Sequence, residues 1–229
     1  LDDYRTQNES VVNAYENAQK NFYSIGAEIA KLEADLKNIL RFVFGKASFR
    51  EIQYESIVKT LRGESSLVLL PTGSGKSLIY QLCSLILPGQ VIVVSPTIAL
   101  INNQHSNLNL MGVDKVASIT SELSNAEERE IVLNSIGDGT TNLILCAPER
   151  LLTPQFEEHL KKSISHQFLS LGVIDEAQCI SEWGQDFRTS YLGIGERIKR
   201  LSTGNKSNKK LAILALTGTA SITVRDDTV

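Results

Sequence analysis

The stretch SSLVLLPTGSGKS, residues 65–77, restricts this chain more than any other part of it. Leu67 to Leu70 is a short apolar run that reads as a buried strand. Pro71 and Thr72 stop it, Gly73, Ser74 and Gly75 form a turn, and Lys76-Ser77 opens LIYQLCSLIL, a helical run. A strand, a glycine loop and a helix start in that order make a phosphate cradle. The glycines let successive N–H groups converge on an anion, and the helix adds the positive end of its dipole. Thr72 to Gly75 would surround the phosphates, Lys76 would reach the outer two, and the Ser77 hydroxyl would offer a hard oxygen to Mg²⁺. The general pattern has glycine at position 70, where this chain has Leu70.

Downstream the chain alternates strands and helices. Val91–Ser95 is a continuous β-branched run, as in a strand covered on both faces. Pro96-Thr97 starts a helix through Leu110, and Lys115–Ile119 is a strand. Ser124-Asn125 opens a helix with Glu127 and Glu128 at its positive end. Strand Asn142–Cys146 leads into a helix from Pro148 to about Lys162; strand Phe168–Ile174, helix Tyr191–Leu201 and strand Leu211–Leu216 follow. Such alternation implies a mostly parallel sheet with helices on both faces, with ligands at the carboxyl ends of the strands. One such end carries LGVIDEAQ, residues 171–178. In a phosphate-loop protein Asp175 would hold the metal and Glu176 would polarise the attacking water.

Composition narrows the class. The 229 residues suffice for one large α/β domain with a proper core. No apolar run approaches the roughly 20 residues that span a bilayer, so no membrane is expected. The polar, acidic start LDDYRTQNES is not a secretory signal. Cys83, Cys146 and Cys179 form no CxxC pair, which fits reduced thiols in the cytoplasm of a bacterium or the nucleus of a eukaryote. A net charge of −3 leaves any nucleic-acid contact to a local groove.

Residues 1–40 differ from the remainder. Val11, Tyr15, Ala18, Phe22, Ile25, Ile29, Leu32, Leu36 and Ile39 recur in steps of four and three, a heptad seam. It reads either as a coiled-coil arm for self-association or a protein partner, or as an amphipathic helix lying on its own domain. Phe44-Gly45 marks a helix end, and Ser48 with Glu51 three residues on suggests a capping box for the next helix, which carries Gln53.

Six segments together resemble the first motor lobe of superfamily-2 helicases, within these the RecQ family: FGKASFREIQ (44–53), LPTGSGKS (70–77), SPTIALINNQ (95–104), CAPERL (146–151), IDEAQCISEWGQDFRTSY (174–191) and ALTGTA (215–220). The run CISEWGQDFR is the most specific of them. The resemblance covers residues 41–229, one RecA-like lobe, and leaves 1–40 as a helical extension. It implies a RecA-like three-layer α/β sandwich and an ATP- and Mg²⁺-dependent 3′–5′ DNA helicase that couples hydrolysis to movement on single-stranded DNA.

The resemblance also implies residue roles. Gln53, supported by Arg50, would read adenine. Lys76 and Ser77 would bind phosphate and Mg²⁺, with Asp175, Glu176 and Gln178 completing the centre. Thr97, Gln104, Pro148, Glu149 and Arg150 would line the DNA track. Trp183, Phe187 and Arg188 would form an aromatic loop that senses single strands, and Thr217 and Thr219 would couple the two sites. The family usually has His at Gln178 and often at Gln185; Gln keeps the hydrogen bonds but does not titrate near neutrality. An aromatic frequent at the position of Lys46 is replaced here, so stacking there would be lost. The helicase would need a second lobe carrying an arginine finger. The sequence ends at SITVRDDTV without it, so these residues alone are expected to bind ATP weakly and scarcely hydrolyse it. A duplex translocase, or a non-motor adaptor working through the N-terminal helix, remains an alternative.

Overall fold

The computed structural model describes residues 29–179, 193–202 and 211–218, with side chains from residue 32 onward. Six strands form one sheet: β1 (Ser66–Leu69), β2 (Gln90–Val94), β3 (Val116–Ile119), β4 (Leu143–Cys146), β5 (Leu169–Ile174) and β6 (Ala212–Thr217). Their order is β1-β6-β5-β2-β4-β3, and every neighbouring pair is parallel. The helices are α1 (Ile29–Phe44), α2 (Glu51–Leu61), α3 (Lys76–Ile86), α4 (Ile98–Leu110), α5 (Ala126–Gly137), α6 (Pro148–Leu151), α7 (Pro154–Ile164) and α8 (Ile194–Leu201).

Strand alternation sorts the core into two layers. Val91 and Val93 of β2 face a cluster with Leu36 and Ile39 of α1, Ile57 of α2, Ile79 and Leu82 of α3, and Ile101 of α4. Ile92 and Val94 face the opposite cluster, with Leu133 of α5, Phe156 and Leu160 of α7, and Ile198 of α8. The result is the three-layer α/β sandwich expected, with helices on both faces. Cys83, Cys146 and Cys179 are buried. Burial pushes the Cys146 thiol up to about 12 and the Cys83 thiol higher still, so both are inert packing groups. No helix among the described residues is long and apolar enough to cross a membrane.

Helix α1 carries the end of the heptad seam. Leu36, Ile39, Leu40 and Phe44 are buried in the core beneath the sheet, and Gly45 ends the helix at φ 62°. This part of the seam therefore lies on its own domain, and the boundary expected at residue 40 falls inside the helix. Residues 1–28 of the seam lie outside the described residues.

Three local expectations are corrected. Among the described residues β1 is the edge strand of the sheet: Val68 is buried, but Leu67 and Leu69, which share the opposite face, are 36% and 47% exposed. The single helix expected from Pro148 is two, since Thr153 takes the extended backbone (φ −78°, ψ 138°) that a following proline imposes. The cap of α2 is Arg50 rather than Ser48: the Arg50 N–H donates to Gln53 Oε1 at 3.0 Å, so glutamine closes the turn from the third helical position.

Candidate active site

Three adjacent strands, β1, β6 and β5, end at one rim of the sheet. The loop after β1 folds tightly, with Ser74 N–H donating to the Pro71 carbonyl at 3.1 Å. Gly73 and Gly75 take φ 76° and 80°, a left-handed backbone that a side chain would strain. Gly75 caps α3, so the unpaired amides of that helix open toward the loop. A Cβ on Gly75 would come within 2.8 Å of Gln53 Nε2. That amide group donates to the Ser74 and Gly75 carbonyls at 2.9 and 3.1 Å. Gln53, which sequence assigns to adenine, is thus 4% exposed and pins the phosphate loop to α2. Beside it a cavity of about 500 Å³ opens between Arg50–Ile52 and Leu70–Ser74.

Lys76 is buried at the start of α3, and its Nζ lies 3.2 Å from Glu176 Oε1. One hundred residues separate the two in sequence. Ser77 follows on the first turn of the helix, half-buried. Glu176 holds φ 50°, the one non-glycine residue with positive φ among the described residues. Its neighbours explain how the strain is held: Asp175 N–H bonds to the Val94 carbonyl and Ala177 N–H to the Leu216 carbonyl, at 2.9 and 2.8 Å. The turn after β5 is thereby clamped between β2 and β6, and Glu176 is turned toward the lysine.

Asp175 is 5% exposed. Burial, and then the charge of Glu176, push its carboxyl up to about 6. Its Oδ1 accepts from the Glu176 N–H at 3.1 Å and its Oδ2 from Gln104 Nε2 at 3.4 Å. A second polar chain runs beside it. Thr217 Oγ1, at the end of β6, donates to Gln178 Oε1 at 2.6 Å, and Gln178 Nε2 donates to Glu176 Oε2 at 2.6 Å. Thr217, Gln178, Glu176 and Lys76 are thus one connected series across three structural elements. A glutamine suits the position of Gln178 because its amide presents an acceptor to one side and a donor to the other.

The residues assigned to the DNA track divide. Thr97 is exposed and caps α4, accepting from the Leu100 N–H at 3.3 Å. Pro148, Glu149 and Arg150 form α6 at the end of β4, next to β2 in the sheet, so they share a rim with Thr97. Gln104 is set apart from them, its amide directed inward at Asp175 and Tyr80. Trp183, Gln185, Phe187, Arg188 and Thr219 lie outside the described residues. Tyr80, which sequence reading passed over, is fully buried on α3 and donates its hydroxyl to Gln104 Oε1. The signal was present, since a phenol inside the apolar run LIYQLCSLIL requires a polar partner.

The cradle fits a magnesium–triphosphate. Ser74 Oγ is buried in the loop without a hydrogen-bond partner, and space is open beside Gly73. The Ser77 hydroxyl and the carboxylates of Asp175 and Glu176 are the hard oxygens that Mg²⁺ prefers, and the Lys76 ammonium offers positive charge to phosphate.

A family model described as DEAD/DEAH box helicase matches residues 50–227. The chain is 40% identical over 191 residues to an ATP-dependent DNA helicase RecQ of Pasteurella multocida, covering 83% of this chain and 28% of the relative. It is 40% identical over 186 residues to a probable ATP-dependent DNA helicase RecS of Bacillus subtilis, covering 81% and 35%. With ATP-dependent DNA helicase Q5 of Rattus norvegicus the identity is 37% over 198 residues, covering 85% and 20%. The chain therefore spans about a third or less of these relatives. Among solved structures, the DUF1998 helicase MrfA bound to DNA and AMPPNP superposes with a TM-score of 0.64 at 20% identity, covering 82% of this chain and 26% of that one. The Pyrococcus furiosus Hef helicase domain gives 0.56 at 22%, covering 78% and 35%; at such identities the likeness is one of fold. The extent of the family match decides kinship: this chain belongs to the DEAD/DEAH box helicases.

Proposed function

We propose that the chain from α1 onward is the ATP-binding lobe of a 3′–5′ DNA helicase of RecQ type, and that the residues before α1 are an extension to it. The observation that carries this reading is the meeting of Lys76 with Glu176, 3.2 Å apart at the rim shared by β1 and β5. An amine poised between a glycine loop and an acid pair is the arrangement that phosphoryl transfer requires. Bound Mg²⁺–ATP supplies a phosphoanhydride bond whose terminal phosphoryl the cation polarises.

The residues divide the remaining work. Backbone amides from Thr72 to Gly75 and the Lys76 amine neutralise phosphate charge. Ser77 and Asp175 offer oxygens to the cation. Glu176, freed from Lys76, accepts a proton from the attacking water, and Gln178 holds that carboxylate in place. Arg50 borders the cavity where adenine would sit, and Gln53, bonded to the loop that lines it, would exchange loop carbonyls for the base edge. Thr97, Pro148, Glu149 and Arg150 would bear on the DNA backbone, and Trp183, Phe187 and Arg188 would stack on and sense single-stranded bases. A second RecA-like lobe would close over this one, and the interior of a cell is the setting that buried thiols fit.

Titration of the chain with a fluorescent, non-hydrolysable ATP analogue in Mg²⁺ tests this reading. Wild type is expected to bind and Lys76→Ala to lose affinity by at least about ten-fold, the loss of one charged phosphate contact. Equal affinity in both, or no binding by wild type, overturns it.

A further inference from the structure

The side chain of Gln104 sits between two elements of the site rather than on the DNA track. Its Nε2 faces Asp175 Oδ2 at 3.4 Å and its Oε1 accepts the Tyr80 hydroxyl. Tyr80 lies on α3, four residues after Lys76 and three after Ser77, so all three share one face of the phosphate-loop helix. Chemistry fixes which way the amide points. A carboxylate offers only acceptors, so the NH₂ end must face Asp175. Burial pushes the Tyr80 phenol well above its ordinary range, so it stays protonated and donates; the carbonyl end must face it. Reversing the amide would oppose oxygen to carboxylate and leave a buried hydroxyl without an acceptor.

We propose that Gln104 and Tyr80 are positioning residues for the metal-binding carboxylate: Tyr80 locks the amide of Gln104, and Gln104 aims Asp175 Oδ2. The other oxygen, Oδ1, accepts from the Glu176 N–H. With Gln104 in place both oxygens are held, and the acid is tied to the helix that carries Lys76 and Ser77. Partners of this kind orient a ligand before the cation arrives, and losing one typically costs about 10- to 100-fold in metal affinity. The inference rests on the nucleotide reading above.

The test compares affinity for a fluorescent, non-hydrolysable ATP analogue in Mg²⁺ and in EDTA, on the full chain, so that no turnover is needed. Gln104→Met is expected to cut the Mg²⁺ preference by about ten-fold while leaving affinity in EDTA unchanged. Tyr80→Phe, which removes one oxygen and keeps the packing, is expected to give a smaller loss of the same kind. Because Tyr80 acts only through Gln104, the double variant should be no worse than Gln104→Met alone. Thermal unfolding of each variant identifies any that misfolds, and Tyr80→Phe then carries the test. An unchanged Mg²⁺ preference in both single variants, or losses that add in the double, overturns the inference while leaving the nucleotide site standing. Failure of wild type to bind the analogue removes both.

Discussion

Asp175 is stored at an energetic disadvantage. In water such a carboxyl loses its proton near 3.8; here, burial first and Glu176 second raise that to about 6, despite help from Gln104, the Glu176 amide and Lys76. The folded chain thus holds the proton more tightly than the unfolded chain. Stability must fall as pH rises from about 4 to about 6 and stay lower above that range. The penalty at neutral pH is on the order of 2–3 kcal/mol. Asp175→Asn, without ligand, is expected to exceed wild type in stability by that order at pH 7 and to lose the advantage toward pH 4. Urea unfolding at several pH values measures it, and parallel profiles for the two proteins would refute it. This is the pattern of a group kept for its ligand at the expense of its own fold. The acid pair itself was legible, because two acids at the end of an apolar strand, common on surfaces by themselves, follow the PTGSGKS loop upstream. The targets of Gln53 and Gln104 were not. Their amides find partners 21 and 71 residues away, and no local pattern says which way an amide on a helix surface will turn.

Among the elements, β5 carries the most consequence, because its end is where Asp175 and Glu176 emerge. Gly172 lies in its middle, where a Cβ would come within 2.8 Å of both Ile198 Cγ2 on α8 and Ile213 Cδ1 on β6. The glycine lets α8 settle onto the sheet. Gly172→Ala is expected to cost about 1–3 kcal/mol in denaturant unfolding. Ile198→Ala should recover part of that loss, so that the two changes are not additive. Simple additivity would mean that the helix shifts freely and that the close approach is unimportant. The strands were readable because three of the six described are buried at every position and written almost wholly in apolar residues, as QVIVV, LILC and AILALT. β1 misled because SLVL is just as apolar yet stands at the sheet edge, and edge position belongs to strand order, which hydropathy does not encode. The break before α7 was legible in Pro154 and was overlooked. The cap at Arg50 was hidden because the capping oxygen comes from Gln53, inside the helix, rather than from the cap residue.

At the scale of the whole molecule, the phosphate-loop strand is one of the first strands in the chain, yet its partner in the sheet is β6, the last described. Ser65 accepts from the Ile213 N–H across 148 residues, and the Leu70 N–H bonds to the Thr217 carbonyl. A chain cut before residue 211 would contain the entire GSGKS loop and have nothing to set it against. Such a truncation is expected to lose binding of the ATP analogue completely and to be cleaved by protease near residues 66–70; retained binding would show that the loop organises itself. The same pairing puts a delay into biosynthesis. At typical elongation rates the ribosome needs roughly ten seconds or more to travel from one strand to the other. Throughout that interval Leu67 and Leu69 hang on an unpaired edge, a natural target for chaperones that hold nascent chains, and the growing polypeptide owns its nucleotide motif long before it owns a place to put a nucleotide.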